Sequence, residues 1–195
     1  MPIPAFTIDG LLPPYVGPDG PGGAAEDMSP YLVTALEVVT SFASSDERRS
    51  ILRGWLRHRA DLRLAGFARG FQWLDGSFVE DKAPRDLDVV TFLYRPPAIR
   101  DGNELVRLMG AHLNVFGRPQ VKASYKLDFF PADLGGSAEG LVGLTRYFLG
   151  LFSHRRGDDV WKGMLQVRLE NVADDAAAIA LLGPEPAGPG AGVNP

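Results

Sequence analysis

Segments with helical spacing of apolar residues alternate along the chain with short runs dense in β-branched and aromatic residues. After Pro30, YLVTALEVVTSFA carries Leu32, Leu36, Val39 and Ala43 at helical intervals, and a proline suits a first helical turn. Ser44 and Glu47 have capping-box spacing. They predict a second helix to about Leu64, with Ile51, Leu52, Trp55, Leu56 and Leu62 on the apolar side, arginines on the other, and Gly66 at the end. Phe71–Leu74 predicts a short strand broken by the turn pair Asp75-Gly76. The polar loop EDKAPR leads into LDVVTFLY, a buried strand stopped by Pro96-Pro97. Helical spacing returns from Gly102 to Phe116, closed by Gly117 and Pro119. VKASYKLDFF predicts a third strand ending at Pro131, EGLVGLTRYFLGLF a helix from about Ala138, and MLQVRL a last strand. This order predicts an α/β (α+β) domain, a mixed sheet of three or four strands flanked by helices.

Composition bounds the chemistry. The 195 residues fit one domain with arms, and 45% hydrophobic with 23% charged is an ordinary globular balance. With no cysteine, disulfides, thiolate catalysis and Cys-ligated metals are excluded. No apolar run approaches the ~20 residues that cross a bilayer, and MPIPAFTIDG shows neither the basic nor the apolar region of a secretory signal. A cytoplasmic protein without a membrane partner is expected. The net charge of −4 is unevenly spread: residues 1–30 hold Asp9, Asp19, Glu26 and Asp27, and residues 171–195 hold Asp174, Asp175 and Glu185, with no base in either stretch. The middle therefore sets 17 acids against all 20 bases. The chain divides into an acidic Pro/Gly-rich arm over 1–29, whose FTIDGLLPPYV can pack along a surface, a domain over 30–170, and an acidic tail over 171–195. The end of that tail, GPEPAGPGAGVNP, predicts disorder.

The chemistry concentrates in the middle. Gly76-Ser77 follows the first strand, and after eight further residues come Asp86 and Asp88, two apart and so on one face of a strand. Asp128 sits between Leu127 and Phe129 in an apolar run, where an unpaired carboxylate is costly. Three such acids suit divalent cations, Mg²⁺ or Mn²⁺, which take oxygen ligands and leave positions open for phosphate. On this reading Asp86 and Asp88 hold two metal ions against a triphosphate. Asp128 completes the second site and helps deprotonate an attacking hydroxyl. Gly76 admits phosphate close to the backbone, and the Ser77 hydroxyl donates to it.

LDGSF, PRDLDVV and KLDFF together resemble the nucleotidyltransferase superfamily with the polymerase-beta-type catalytic core, over roughly residues 67–130. FTIDGLLPP and TRYFLGLFSHRR are similar to a small bacterial family of minimal nucleotidyltransferase-like proteins. The resemblance implies that fold, with Asp86, Asp88 and Asp128 as catalytic metal ligands and transfer of a nucleoside monophosphate from an NTP to a hydroxyl of protein or RNA. It also implies a toxin–antitoxin or phage-defence setting, with a partner protein or a homo-oligomer. The eight-residue spacer from Ser77 to Asp86 lies at the short end of the superfamily's range, and nothing after the core looks like a nucleobase-binding domain. The alternative is a weak or inactive nucleotidyltransferase-like module acting as an antitoxin or regulatory subunit.

Basic residues near the motifs have two readings each. Lys82 and Arg85 neutralise triphosphate charge or are solvated loop residues beside Glu80 and Asp81. Lys126, on the face of Asp128 by strand period, grips phosphate or pairs with that acid. Arg155 and Arg156, with His154 and Lys162, bind nucleotide or an RNA acceptor, or simply complement a helix C-terminus. Trp161 stacks on a base or belongs to the core. Arg53–His58 and Arg107–His112 match an Arg-x4-His nuclease pattern, but its double occurrence in one short chain shows how little it specifies; His58 and His112 read as surface or satisfied core residues.

Overall fold

Residues 3–184 are described by a computed structural model. Five strands form one mixed sheet: β1 (Tyr31–Val33), β2 (Gly70–Asp75), β3 (Leu87–Leu93), β4 (Leu127–Asp133) and β5 (Leu165–Arg168). They lie in the order β1-β5-β2-β3-β4. β1 pairs parallel with β5 and β3 parallel with β4, while β2 runs antiparallel to both of its neighbours. Seven α-helices accompany them among the described residues: α1 (Ala35–Phe42), α2 (Asp46–Leu64), α3 (Gly102–Ala111), α4 (Leu113–Phe116), α5 (Arg118–Tyr125), α6 (Ala138–Phe152) and α7 (Val172–Leu182). The α+β class therefore stands, with one strand more than expected. The extra strand is β1, in a segment read as helix: Thr34 rather than Pro30 begins the helix, through a capping box with Glu37.

Strand alternation sorts the core into two layers. Leu74, Leu87, Val89, Leu127 and Phe129 face a cluster containing Val38, Leu52, Trp55, Val121 and Ala178, from α1, α2, α5 and α7. Trp73, Val90, Phe92 and Ala132 point the other way, against Phe148 and Phe152 of α6. The N-terminal arm joins the first layer, because Leu12 is fully buried there and Leu11 bridges Glu80.

Three further differences have local causes. The N-cap of α2 is Ser45, whose hydroxyl accepts from the Arg48 N–H, and the arginines of this helix are not confined to one exposed side, since Arg48 and Arg59 are buried. The expected third strand is halved: Arg118–Tyr125 is helical, with Pro119 in its first turn, and Lys126 in a left-handed conformation (φ 59°) turns the chain into β4. The tail expected from 171 begins instead with α7, whose Asp175, Ala178 and Leu182 are buried. The rest of the predicted disorder, residues 185–195, lies outside the described residues.

Candidate active site

The last row of the α6-facing side of the sheet is acidic. Cross-strand register sets Asp75 opposite Asp88, and Asp88 opposite Asp128. The preceding row is Trp73, Val90 and Phe130, so an apolar surface ends in three adjacent carboxylates. They open into a cleft of about 320 Å³ that also takes in Gly76, Ser77, Asp86 and Lys122. Gly76 turns β2 out of the sheet at φ +75°, and a Cβ there would stand 1.8 Å from Asp88 Oδ2. Glycine is thus required twice, by the backbone angle and by the approach of the carboxylate.

Each carboxylate has a different environment. Asp75 is buried against Lys162 Nζ at 3.3 Å, and its Oδ1 has no hydrogen-bond partner. Burial pushes its carboxyl up to about 7, against the opposing charge of Lys162. Asp88 is also raised, first by burial and then by the negative charges of Asp86 and Asp128. Asp86 meets Lys122 Nζ at 2.7 Å, and Asp128 meets an Arg118 guanidinium nitrogen at 2.7 Å.

Two cations hold the loops around the cleft: Lys162, expected at a nucleotide or an RNA acceptor, and Arg48, which sequence reasoning missed. Lys162 is buried and donates to Gly76 O and Glu80 Oε1, both at 3.1 Å, tying the segment before β5 to the glycine turn. Arg48 donates to the carbonyls of Phe78, Glu80 and Lys82 at 2.8, 2.6 and 2.9 Å and so shapes the loop after Ser77. The signal for Lys162 was its place among the basic residues after α6. Nothing local marked Arg48, whose partners lie 30 to 34 residues away.

Among the predicted site residues, Gly76, Ser77, Lys82, Asp86, Asp88, Asp128 and Arg156 line the cleft, as does His154. Lys82 pairs with Glu80. Arg85 is exposed and outside the lining. Lys126 is not on the face of Asp128, because it caps a helix instead of belonging to the strand, and its Nζ donates to Ser50 Oγ at 2.9 Å. His154 and Arg156 reach the cleft from a hairpin-like segment closed by Arg155 N–H to Val160 O and Lys162 N–H to Ser153 O. Arg155 takes the intervening position, pairs with Asp158 and donates to Asp9 O. Trp161 is 64% exposed, edge-on to His154. His58 is a core residue bonded through Nε2 to Val115 O.

A sequence profile described as "Family of unknown function (DUF6932)" matches residues 4–168. The chain belongs to this family. No curated protein and no solved structure matches it. The matched span runs from the N-terminal arm through β5 and includes every cleft-lining residue.

Among the described residues, no three carboxylate or imidazole groups stand together as a ready metal-binding group. Asp86 and Asp128 are turned to Lys122 and Arg118. The donor chemistry nonetheless fits a hard divalent cation. It consists of carboxylate oxygens on neighbouring strands, one buried oxygen without a partner, and a glycine turn leaving space at Asp88. No described helix is long and apolar enough to cross a membrane.

Proposed function

We propose that the chain is a Mg²⁺- or Mn²⁺-dependent nucleotidyltransferase, moving a nucleoside monophosphate from an NTP to a hydroxyl acceptor on protein or RNA as the α–β phosphoanhydride bond breaks and pyrophosphate leaves. The observation that carries this reading is the placement of Asp88 directly opposite Asp128 beside the Gly76–Ser77 turn, with Asp86 in the same cleft. Asp86, Asp88 and Asp128 hold the metal, which when bound neutralises phosphate charge and orients the reacting oxygens. The Ser77 hydroxyl and the backbone of the turn cradle the phosphates. Arg156 and Lys82 supply positive charge at the cleft, and Asp128 accepts the proton of the attacking hydroxyl. Such chemistry works by positioning and electrostatics. A cytoplasmic setting in toxin–antitoxin or phage-defence systems, with a partner protein or a second copy, belongs to the same proposal.

The test is incubation of the purified protein with each α-labelled NTP, Mg²⁺ or Mn²⁺, and cell RNA or lysate. Label moves to an acceptor, and Asp88→Ala abolishes it. Transfer from no NTP, or transfer undiminished in that variant, overturns the reading. The ion pairs at Asp86 and Asp128 favour a second reading, a nucleotide-binding or regulatory module without turnover. Calorimetry separates the two: such a module binds NTP without needing a divalent cation, or binds only its partner.

A further inference from the structure

The cations that hold Asp86 and Asp128 come from a single helix. Arg118 and Lys122 are four residues apart on α5 and project from one face. Lys122 takes Asp86, while Arg118 takes Asp128 and lies over the Phe130 ring at 4.1 Å. α5 does not need these pairs to be held in place. Val121 and Tyr125 are buried, the Tyr125 hydroxyl donates to Asp61 Oδ2 at 2.7 Å, and the absence of a side chain at Gly54 lets α2 meet the Tyr125 carbonyl. The Arg118 and Lys122 side chains are themselves 55% and 57% exposed, and ion pairs so exposed add little to stability.

Lys122, however, lines the cleft itself, and Arg118 sits on Asp128 at the end of the acidic row, where both a metal ion and a polyphosphate have to arrive. Resting on the nucleotidyl-transfer reading, we propose that Arg118 and Lys122 are the polyphosphate-binding side chains of this site, held by Asp128 and Asp86 until a divalent cation takes those carboxylates. The exchange conserves charge: the cation replaces the ammonium and guanidinium groups at the carboxylates, and these turn to phosphate oxygens, for which a guanidinium fork is well shaped. Either ligand alone has to break both ion pairs without compensation. Together each supplies the partner that the other displaces, so cation and polyphosphate bind with positive coupling, equal in both directions.

The test uses Mn²⁺ and inorganic tripolyphosphate, which carries the charge without a base, on the wild type, Lys122→Gln and Arg118→Gln. Calorimetry reads the affinities and circular dichroism confirms folding. Without polyphosphate, each variant binds Mn²⁺ about two- to fivefold more tightly than the wild type, the release expected from an exposed ion pair. With Mn²⁺ present, each binds tripolyphosphate at least about fivefold more weakly, and Lys122→Arg restores most of that loss. Opposite signs for the two ligands are the signature, since damage to the cleft would weaken both. Unchanged or weaker Mn²⁺ binding in both variants overturns the proposal, as does absence of Mn²⁺ binding from all three proteins. A wild type that shows the coupling but transfers no nucleotide from any NTP overturns the enzymatic reading and leaves the exchange standing.

Discussion

Arg59, in the middle of α2, donates through Nε and a terminal guanidinium nitrogen to Asp175 of α7 at 2.8 to 3.0 Å, across 116 residues of chain. Arg63 reaches the second oxygen of the same carboxylate at 2.7 Å, and Arg59 also donates to Gln72 Oε1. Both members of the Arg59–Asp175 pair are almost wholly buried. Removing one partner of such a pair leaves the other charge uncompensated. Asp175→Ala therefore lowers unfolding free energy by about 3–5 kcal/mol in urea titrations. The double variant Arg59→Met, Asp175→Leu recovers part of that loss, because the fully buried Arg59 charge is no longer stranded, while Arg63 keeps only its bond to Leu169 O.

Gly76→Ala meets two obstacles, a positive φ and a carboxylate oxygen 1.8 Å from the new methyl group. Asp88 has to move, so on the nucleotidyl-transfer proposal the variant loses metal and nucleotide binding together. Gly157→Ala is the control: φ is +108° there but nothing lies near the added carbon. It shows only the conformational cost, about 1–2 kcal/mol, and keeps cleft binding in the same calorimetric assay.

Asp75 and His58 give stability opposite dependences on pH. The folded protein holds the Asp75 proton to about 7, because of burial, while an ordinary aspartate releases it near 3.8. Its contribution therefore falls as pH rises through that interval. Burial lowers His58 from 6.5 to about 4, so the unfolded chain takes up a proton first and stability falls as pH drops through that range. In the wild type the two slopes oppose each other. Asp75→Asn leaves stability rising from about pH 4 to 6.5, and His58→Gln leaves it falling from about pH 4 to 7. Urea titrations across the interval check both signs.

The N-terminal arm is part of the core. Leu12 is fully buried, its carbonyl accepts from the Gly163 N–H at 2.7 Å, and the Tyr31 hydroxyl donates to Pro13 O at 2.9 Å. Leu12→Ala costs about 2–5 kcal/mol, the range for an emptied leucine site, whereas Ile8→Ala, at a fully exposed position, leaves the urea midpoint unchanged.

What could be read in the sequence was local. The Asp75-Gly76 turn, the two-residue step from Asp86 to Asp88 and the acid inside an apolar strand are all patterns within a few residues, and those residues line one cleft. The errors came where partners are distant. β1 is three residues long and exists through its pairing with β5, more than 130 residues on, while its apolar residues also fit the helix that follows. In VKASYKLDFF the apolar density of a strand concealed a helix end, because a single left-handed residue, Lys126, separates the two. Buried Arg48 and Arg59 resembled solvated helix charges, and only distant carbonyls and Asp175 make their burial tolerable. The acidic row had the same limitation: Asp75 reads as a turn residue until register places it beside Asp88.

The strand order carries a consequence for synthesis on the ribosome. β5, made after the other four strands of the sheet, lies between β1 and β2. Until Leu165–Arg168 has emerged, β1 has no neighbour in the sheet and β2 has an open edge. Lys162, the cation under the Gly76 turn, emerges just before that strand. A nascent chain carrying all of Asp75, Asp86, Asp88 and Asp128 thus still lacks the ammonium group that fixes the turn, and the cleft is completed only when the sheet closes.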